Sequence, residues 1–419
     1  MKIKQLLFTA GLIAAVTAAQ KASAAGFYIQ EQSVKERGAA FAGAAANPAD
    51  ASVIFNNPAA MAELVRPQGV AGVAVIIPTS SFTNNGSNIG GGPPTGGGDG
   101  GNPFDPIPVP SFYAAAPIDG GTWWLGLAVT APFGLSNNYG DTWFGRYNST
   151  KSVLRTYDID PSVAVKLSDQ WSLGAGIDIQ YAYADLQQAI FTGVADDFAE
   201  VKGDSWKVGY NLGVLWDVDP ATRLGLHYRS AITQDISGNL TVSGPVPLGF
   251  PTTQAASAEL KLPNVIEFGA THQFSPQLKV LGSVDWFGWN NFNEIRVNTT
   301  FLPAIVTTED YRNTVALALG AEWKQDDKWT YRGGIQFDET PTSSHRDTRV
   351  PDSNRFWLSA GGSYQVTPNF GVDGALSHLF MGDASVNDTN QFGIGPPINT
   401  IGTSKNQVTI VSLQGVAKF

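Results

Sequence analysis

Every second residue from Trp171 reads Trp171, Leu173, Ala175, Ile177, Ile179, Tyr181 and Tyr183, while the positions between are Ser172, Gly174, Gly176, Asp178, Gln180, Ala182 and Ala184. Successive side chains of a strand point to opposite faces, so one face here is apolar with aromatics near both ends and the other is small or polar. A soluble sheet buries one such face in a core. This pattern recurs along nearly the whole chain: Trp206, Val208, Tyr210, Leu212, Val214 and Trp216 alternate with Lys207, Gly209, Asn211 and Gly213. Likewise Asn313, Val315, Leu317, Leu319, Ala321 and Trp323 alternate with Arg312, Thr314, Ala316, Ala318 and Gly320. One core cannot absorb so many apolar faces, whereas a membrane barrel turns them to lipid and lines its lumen with the polar set.

The totals agree with a barrel. Mean hydropathy is -0.07, near neutral as an alternating wall requires. Lys2 and Lys4 precede an apolar run from Leu6 to Ala19, followed by Ala22-Ser23-Ala24, which reads as a signal peptide over residues 1–24. No later stretch approaches the roughly 20 apolar residues of a spanning helix. The chain has no cysteine and hence no disulfide framework. A net charge of -10 argues against a nucleic-acid partner, which needs a basic footprint.

Two kinds of connection alternate along the chain. The short ones carry turn chemistry: Asp119-Gly120-Gly121, Ser168-Asp169-Gln170, Asp219-Pro220, Ser275-Pro276-Gln277, Asp326-Asp327 and Thr367-Pro368-Asn369. The long ones fall near 79–108, 136–151, 188–203, 243–255, 299–309, 339–351 and 383–405. Strict alternation of short and long predicts an up-and-down outer-membrane barrel of about fourteen antiparallel strands over residues 67–419. The tract from Gly90 to Pro110 is Gly/Pro-rich and reads as a mobile outer loop.

Two segments break the period. Residues 25–66 are rich in Ala and Gly, with Asn-Pro-Ala triplets at Asn47–Ala49 and Asn57–Ala59. Such residues allow tight packing in the lumen, as a hatch; the other reading is a periplasmic tail. Pro132, within Ala131-Pro132-Phe133-Gly134, removes a ladder donor, so it marks either a gap in the wall or the end of a strand at the outer rim.

With these residues the chain resembles the FadL/TodX family of outer-membrane transporters for long-chain fatty acids and other hydrophobic compounds. The resemblance is carried by Ala25-Gly26-Phe27, by Asp50–Ser52 through Asn57-Pro58-Ala59, by Ala131–Leu135 and by Tyr228-Arg229-Ser230. It is densest at Tyr311-Arg312, Asp326–Arg332, Gly334–Asp338 and Pro351–Gly361. It implies a fourteen-stranded barrel closed by a hatch, and passive entry of a hydrophobic cargo through outer loops around 188–203 to an apolar pocket near Phe27. Exit would run sideways through the wall at Pro132, Phe133 and Gly134, which the Asn57, Pro58, Ala59 turn abuts. Arg312, on the inward face, matches a basic position of fatty-acid members and is the candidate head-group partner. The alternative role for Arg312 is a lumen ion network. Gln188 stands at a second basic position, which favours an uncharged hydrocarbon as the alternative cargo.

The setting implies outer-membrane lipid and lipopolysaccharide as neighbours, barrel assembly machinery reading the terminal Phe419, and no cofactor. An outer-membrane hydrolase would need an assembled catalytic set, yet His227, His272, His345 and His378 are scattered and no Gly-x-Ser-x-Gly elbow is present. A general porin would need an open charged constriction.

Overall fold

Strands long enough to cross a bilayer, each apolar on one side, satisfy their backbone groups only by closing on one another. The computed structural model describes residues 26–419 apart from 194, 246–248, 250, 343–344, 391 and 393–394. The signal peptide expected over 1–24, and Ala25, lie outside the described residues. Fourteen antiparallel strands form the wall. They are β1 (Gln68–Asn84), β2 (Ile107–Ile118), β3 in two pieces (Trp123–Thr130 and Gly134–Asn138), β4 (Lys151–Lys166) and β5 (Trp171–Phe191). Next come β6 (Asp196–Asp219), β7 (Thr222–Arg229 and Ile232–Ser243), β8 (Thr253–Leu262 and Val265–Gln273) and β9 (Leu278–Phe287 and Glu294–Thr299). The last are β10 (Ile305–Thr308 and Thr314–Lys324), β11 (Trp329–Asp338), β12 (Arg355–Thr367), β13 (Phe370–Met381 and Ala384–Asn390) and β14 (Ile398–Lys418). Closure comes from β1 pairing with β14 over the full length from Gln68↔Lys418 to Asn84↔Gly402.

The alternation has the expected sense. Ile177, Trp206, Val208 and Tyr210 are half exposed or more, while Asp178, Gln180 and Ala182 are buried. The six short turns all fall between strands at one end. Stacked pairs such as Trp171–Trp216 lie beside them, as an aromatic belt at the interface requires.

At the other end the strands run further than the sequence suggests. The expected loop over 188–203 is a hairpin in which β5 continues to Phe191 and β6 begins at Asp196, and 383–405 holds strand from Ala384 to Asn390 and from Ile398 onward. Polar residues such as Gln188, Asp196, Asp197 and Glu200 interrupt the pattern and hid these extensions, although Ala189, Ile190 and Ala199 are buried against neighbouring elements. Part of the glycine tract meets a neighbouring loop. Gly98 forms a bridge with Trp143, and a Cβ at Gly97 would collide with the Thr142 carbonyl. Glycine is what allows that backbone approach.

The N-terminal segment packs against the inner face of the wall. It contains α1 (Val34–Gly38), capped by the Ser33 side chain, and α2 (Val53–Asn56). Asn57 caps the following turn Pro58–Glu63 by accepting from Ala59 N at 3.0 Å, with Pro58 at the first helical position, where its missing N–H costs nothing. Inward-facing glycines of the wall receive this segment. A Cβ at Gly225 would collide with the Ala45 carbonyl, and one at Gly334 with the Ala39 carbonyl. This explains why the inner face is small as well as polar. Gly225→Val is therefore expected to cost about 1–3 kcal/mol through overpacking. It should also raise ion conductance in planar bilayers as the segment is pushed from its seat. Unchanged conductance and unfolding would show that the fit at Gly225 does not hold it.

Candidate functional site

The wall is interrupted at Pro132. Below it, β2 and β3 pair from Phe112↔Val129 to Ile118↔Trp123. Above it, Gly134–Asn138 pairs with β4 alone, and Ile107–Ser111 pairs with β1 alone. Among the described residues no ladder joins these two edges. Pro108 and Pro110 lie two apart on the β2 edge, so both missing donors fall on one side. Proline in a sheet belongs on an edge, and the ladder to β1 continues through both positions, so that side is the gap.

Backbone groups freed by the break find partners in the N-terminal segment. Ile29 N donates to Pro132 O at 2.8 Å, and Gly134 N donates to Phe27 O at 3.0 Å, with Tyr28 bridging Phe133. The Gln32 side chain completes the set, donating to Ala131 O at 2.9 Å and accepting from Ala131 N at 3.2 Å. The N-terminal segment thus satisfies these groups, while Phe133 N donates to Thr156 Oγ1 of β4 at 2.9 Å, as buried backbone requires. Phe27 is fixed by edge-to-face contacts with Trp289 (4.8 Å between centroids), Phe292 (5.5 Å) and Phe133 (6.2 Å).

A cavity of about 710 Å³ lies at this break. Phe27, Ile29, Ile76, Phe133, Leu135 and Leu379 give it an apolar body, and Glu31, Asp352 and Arg355 also line it. A second, narrow cavity of about 30 Å³ lies toward the long hairpins, between apolar residues such as Leu186, Val201 and Ile305 and the side chains of Gln188 and Arg349. The run Arg349-Val350-Pro351-Asp352 links the two, Arg349 lining the outer cavity and the next three residues the inner one.

Arg312 corrects the sequence reading. The regular strand begins at Thr314, so alternation does not reach Arg312; it lies in the preceding loop, exposed, with its N–H on Pro341 O at 3.0 Å. Arg349 is the cation beside Gln188. Its Nη2 donates to Gln188 Oε1 (3.0 Å) and Asn148 O (2.6 Å), and Asp347 holds Nη1 at 2.8 Å. Among the described residues its buried Nε has no acceptor. The only sequence signal for Arg349 was its position two residues before the Pro351–Gly361 motif.

Arg229 is the other cation that spacing could not reveal. It lies at the end of the first piece of β7, buried among Asp158 and Asp160 of β4 and Asp178 of β5. Its Nη2 donates to Phe55 O at 3.2 Å, and its guanidinium lies 4.8 Å from the Phe55 ring centroid. The wall thereby grips α2. Asn57, beyond that helix, donates to Ala45 O at 2.6 Å and to Val214 O of β6 at 3.0 Å. At the far end of the chain Phe419 is exposed, its N–H on Pro67 O at 2.9 Å.

Residues 15–419 match the family described as outer membrane protein transport protein (OMPP1/FadL/TodX). The chain belongs to this family. It is similar to the long-chain fatty acid transport protein of Salmonella typhi, 29% identical, with 92% of this chain and 94% of that protein covered. It is also similar to the crystal structure of a Pseudomonas aeruginosa FadL homologue (TM-score 0.88, 25% identity, 94% and 100% covered). The Pseudomonas putida toluene transporter TodX shares the fold at 13% identity (TM-score 0.68, 95% and 98% covered). Like its family, this protein is an outer-membrane transport barrel and not an enzyme.

Proposed function

We propose that the protein carries long-chain fatty acids passively across the outer membrane and releases them sideways into the bilayer. The observation that supports this reading best is the apolar cavity at the wall break, lined by Phe27 and Phe133 and adjoining the proline edge of β2. A hydrophobic molecule gains nothing from a watery pore, but keeps apolar contact along a path from the outer cavity to this one. Arg349, whose buried Nε–H is unused beside the apolar outer cavity, is the carboxylate partner. The N-terminal segment acts as the hatch. Withdrawal of Phe27–Ile29 from Pro132–Gly134 opens the route, and the concentration gradient drives it. Gln188 is neutral and already accepts from Arg349, so a single cation serves the head group; this favours uncharged hydrocarbons as a second cargo.

Competitive uptake of oleate against a small monoaromatic, in wild type, Arg349→Ala and Arg312→Ala, tests the reading. Arg349→Ala should weaken oleate by about 1.5–3 kcal/mol, as loss of a charge-assisted hydrogen bond does, and leave the aromatic unaffected. Arg312→Ala should change neither. Undiminished oleate uptake by Arg349→Ala would refute the head-group assignment, and large steady ion conductance by wild type would refute a closed hatch.

A further inference from the structure

The cavity at the wall break has a polar end whose groups are unequally engaged. Asp352 accepts from Gly26 N at 3.1 Å, from Thr340 Oγ1 at 2.7 Å and from Arg355 Nη2 at 3.0 Å. Arg355 also donates to Gly26 O at 2.8 Å and lies 3.9 Å from Asp338. These groups are occupied in holding the chain. Glu31 is buried in the same lining, yet among the described residues no lysine or arginine nitrogen lies within 4.0 Å of its carboxylate.

The charges around Glu31 come from three directions. Arg37 on α1 and Arg355 on β12 favour its ionised form, while Asp338 on β11 and Asp352 before β12 add negative charge nearby. Burial outweighs the backbone N–H groups of Glu31 and Gln30 and the two arginines, and lifts the Glu31 carboxyl above its ordinary range. A cargo carboxylate arriving here would be a further anion beside Asp352 in a largely apolar cavity at the break in the wall. An ion cannot pass from there into hydrocarbon cheaply, and the neutral acid can.

On the fatty-acid reading given above, we propose that Glu31 hands its proton to the cargo carboxylate at the wall break, so that the fatty acid leaves as the neutral acid. The O–H bond of the Glu31 carboxyl breaks as that of the cargo forms. Glu31 is left ionised beside Arg37 and Arg355, and water reprotonates it once the cargo has gone. Glu31 is thus a discriminating residue: it matters to a carboxylate cargo and is irrelevant to one that is neutral from the start.

Uptake of oleate and of oleyl alcohol by the full-length protein in vesicles, for wild type, Glu31→Gln and Glu31→Asp, tests this. At pH 7, Glu31→Gln should lower oleate uptake about tenfold or more, because the neutral fraction of a free carboxyl falls tenfold for each pH unit above its pKa. Oleyl alcohol uptake should stay at the wild-type level, which also shows that the variant is folded and open. Glu31→Asp, which keeps a titratable proton, should retain most oleate uptake, and the Glu31→Gln defect should shrink as pH falls toward about 4.5, where the cargo protonates itself. Equal oleate uptake by wild type and Glu31→Gln overturns the proton step alone, as does equal loss of both cargoes. Wild type that carries the alcohol but never oleate overturns the fatty-acid reading, and this proposal with it.

Discussion

Replacing Pro108 and Pro110 with valine and Pro132 with threonine is expected to reduce uptake to background while the barrel stays folded. Pro108 and Pro110 withhold donors on the β2 edge that faces the gap, and Pro132 withholds one between the two pieces of β3. Each ladder hydrogen bond restored is worth about 0.5–1.5 kcal/mol net, and valine and threonine suit a strand that proline cannot join. The edges cannot zip in wild type, so the N-terminal segment occupies the space through Ile29, Phe27 and the Gln32 amide. Once the wall closes, its own carbonyls and N–H groups compete for those partners, and the cavity at the break loses its side opening. The measurement pairs fatty-acid uptake with amide hydrogen exchange over 107–111 and 134–138. Slowed exchange there with uptake at the wild-type level would rule out sideways exit.

The wall was legible because lipid on one side and a packed inner face on the other impose a period of two on every crossing strand. The break at Pro132 showed for the same reason: proline is the one residue whose backbone chemistry is written in its name. Other parts were not legible, for physical reasons. In the outer hairpin polar residues are interspersed among buried apolar ones such as Ala189, Ile190 and Ala199, so 188–203 looked like loop although both strands continue into it. Arg312 looked inward because alternation was extended two residues past the start of regular strand at Thr314. Arg349 had no pattern to belong to, since its setting is made by Gln188 and Asn148, far away in sequence. Gln32 could not be singled out either, because its amide acts on Ala131, 99 residues distant. Small residues inside the barrel were visible, but not that they are the mould of the N-terminal segment, because that requires knowing which carbonyl approaches which glycine.

Arg229→Met is expected to destabilise the protein by about 3–5 kcal/mol, the usual cost of stranding buried charge. Asp158, Asp160 and Asp178 would remain without their guanidinium, and Asn211, which donates to Asp160 at 3.0 Å and to Asp178 at 3.1 Å, cannot neutralise them. Denaturant unfolding followed by tryptophan fluorescence reads this effect. Adding Asp158→Asn and Asp178→Asn should recover much of the loss, because removing both sides of a buried pair is far less costly than removing one. The triple variant then separates two roles that the single substitution confounds. Its wall is stable again, but Phe55 O still lacks the Arg229 donor and its ring has lost a cation–π contact worth about 0.5–2 kcal/mol. If Arg229 holds the hatch as well as the wall, the triple variant should unfold like wild type yet conduct ions. Unfolding and conductance both at the wild-type level would limit Arg229 to neutralising the acidic lumen, and leave Asn57 and the glycine seats to hold the segment.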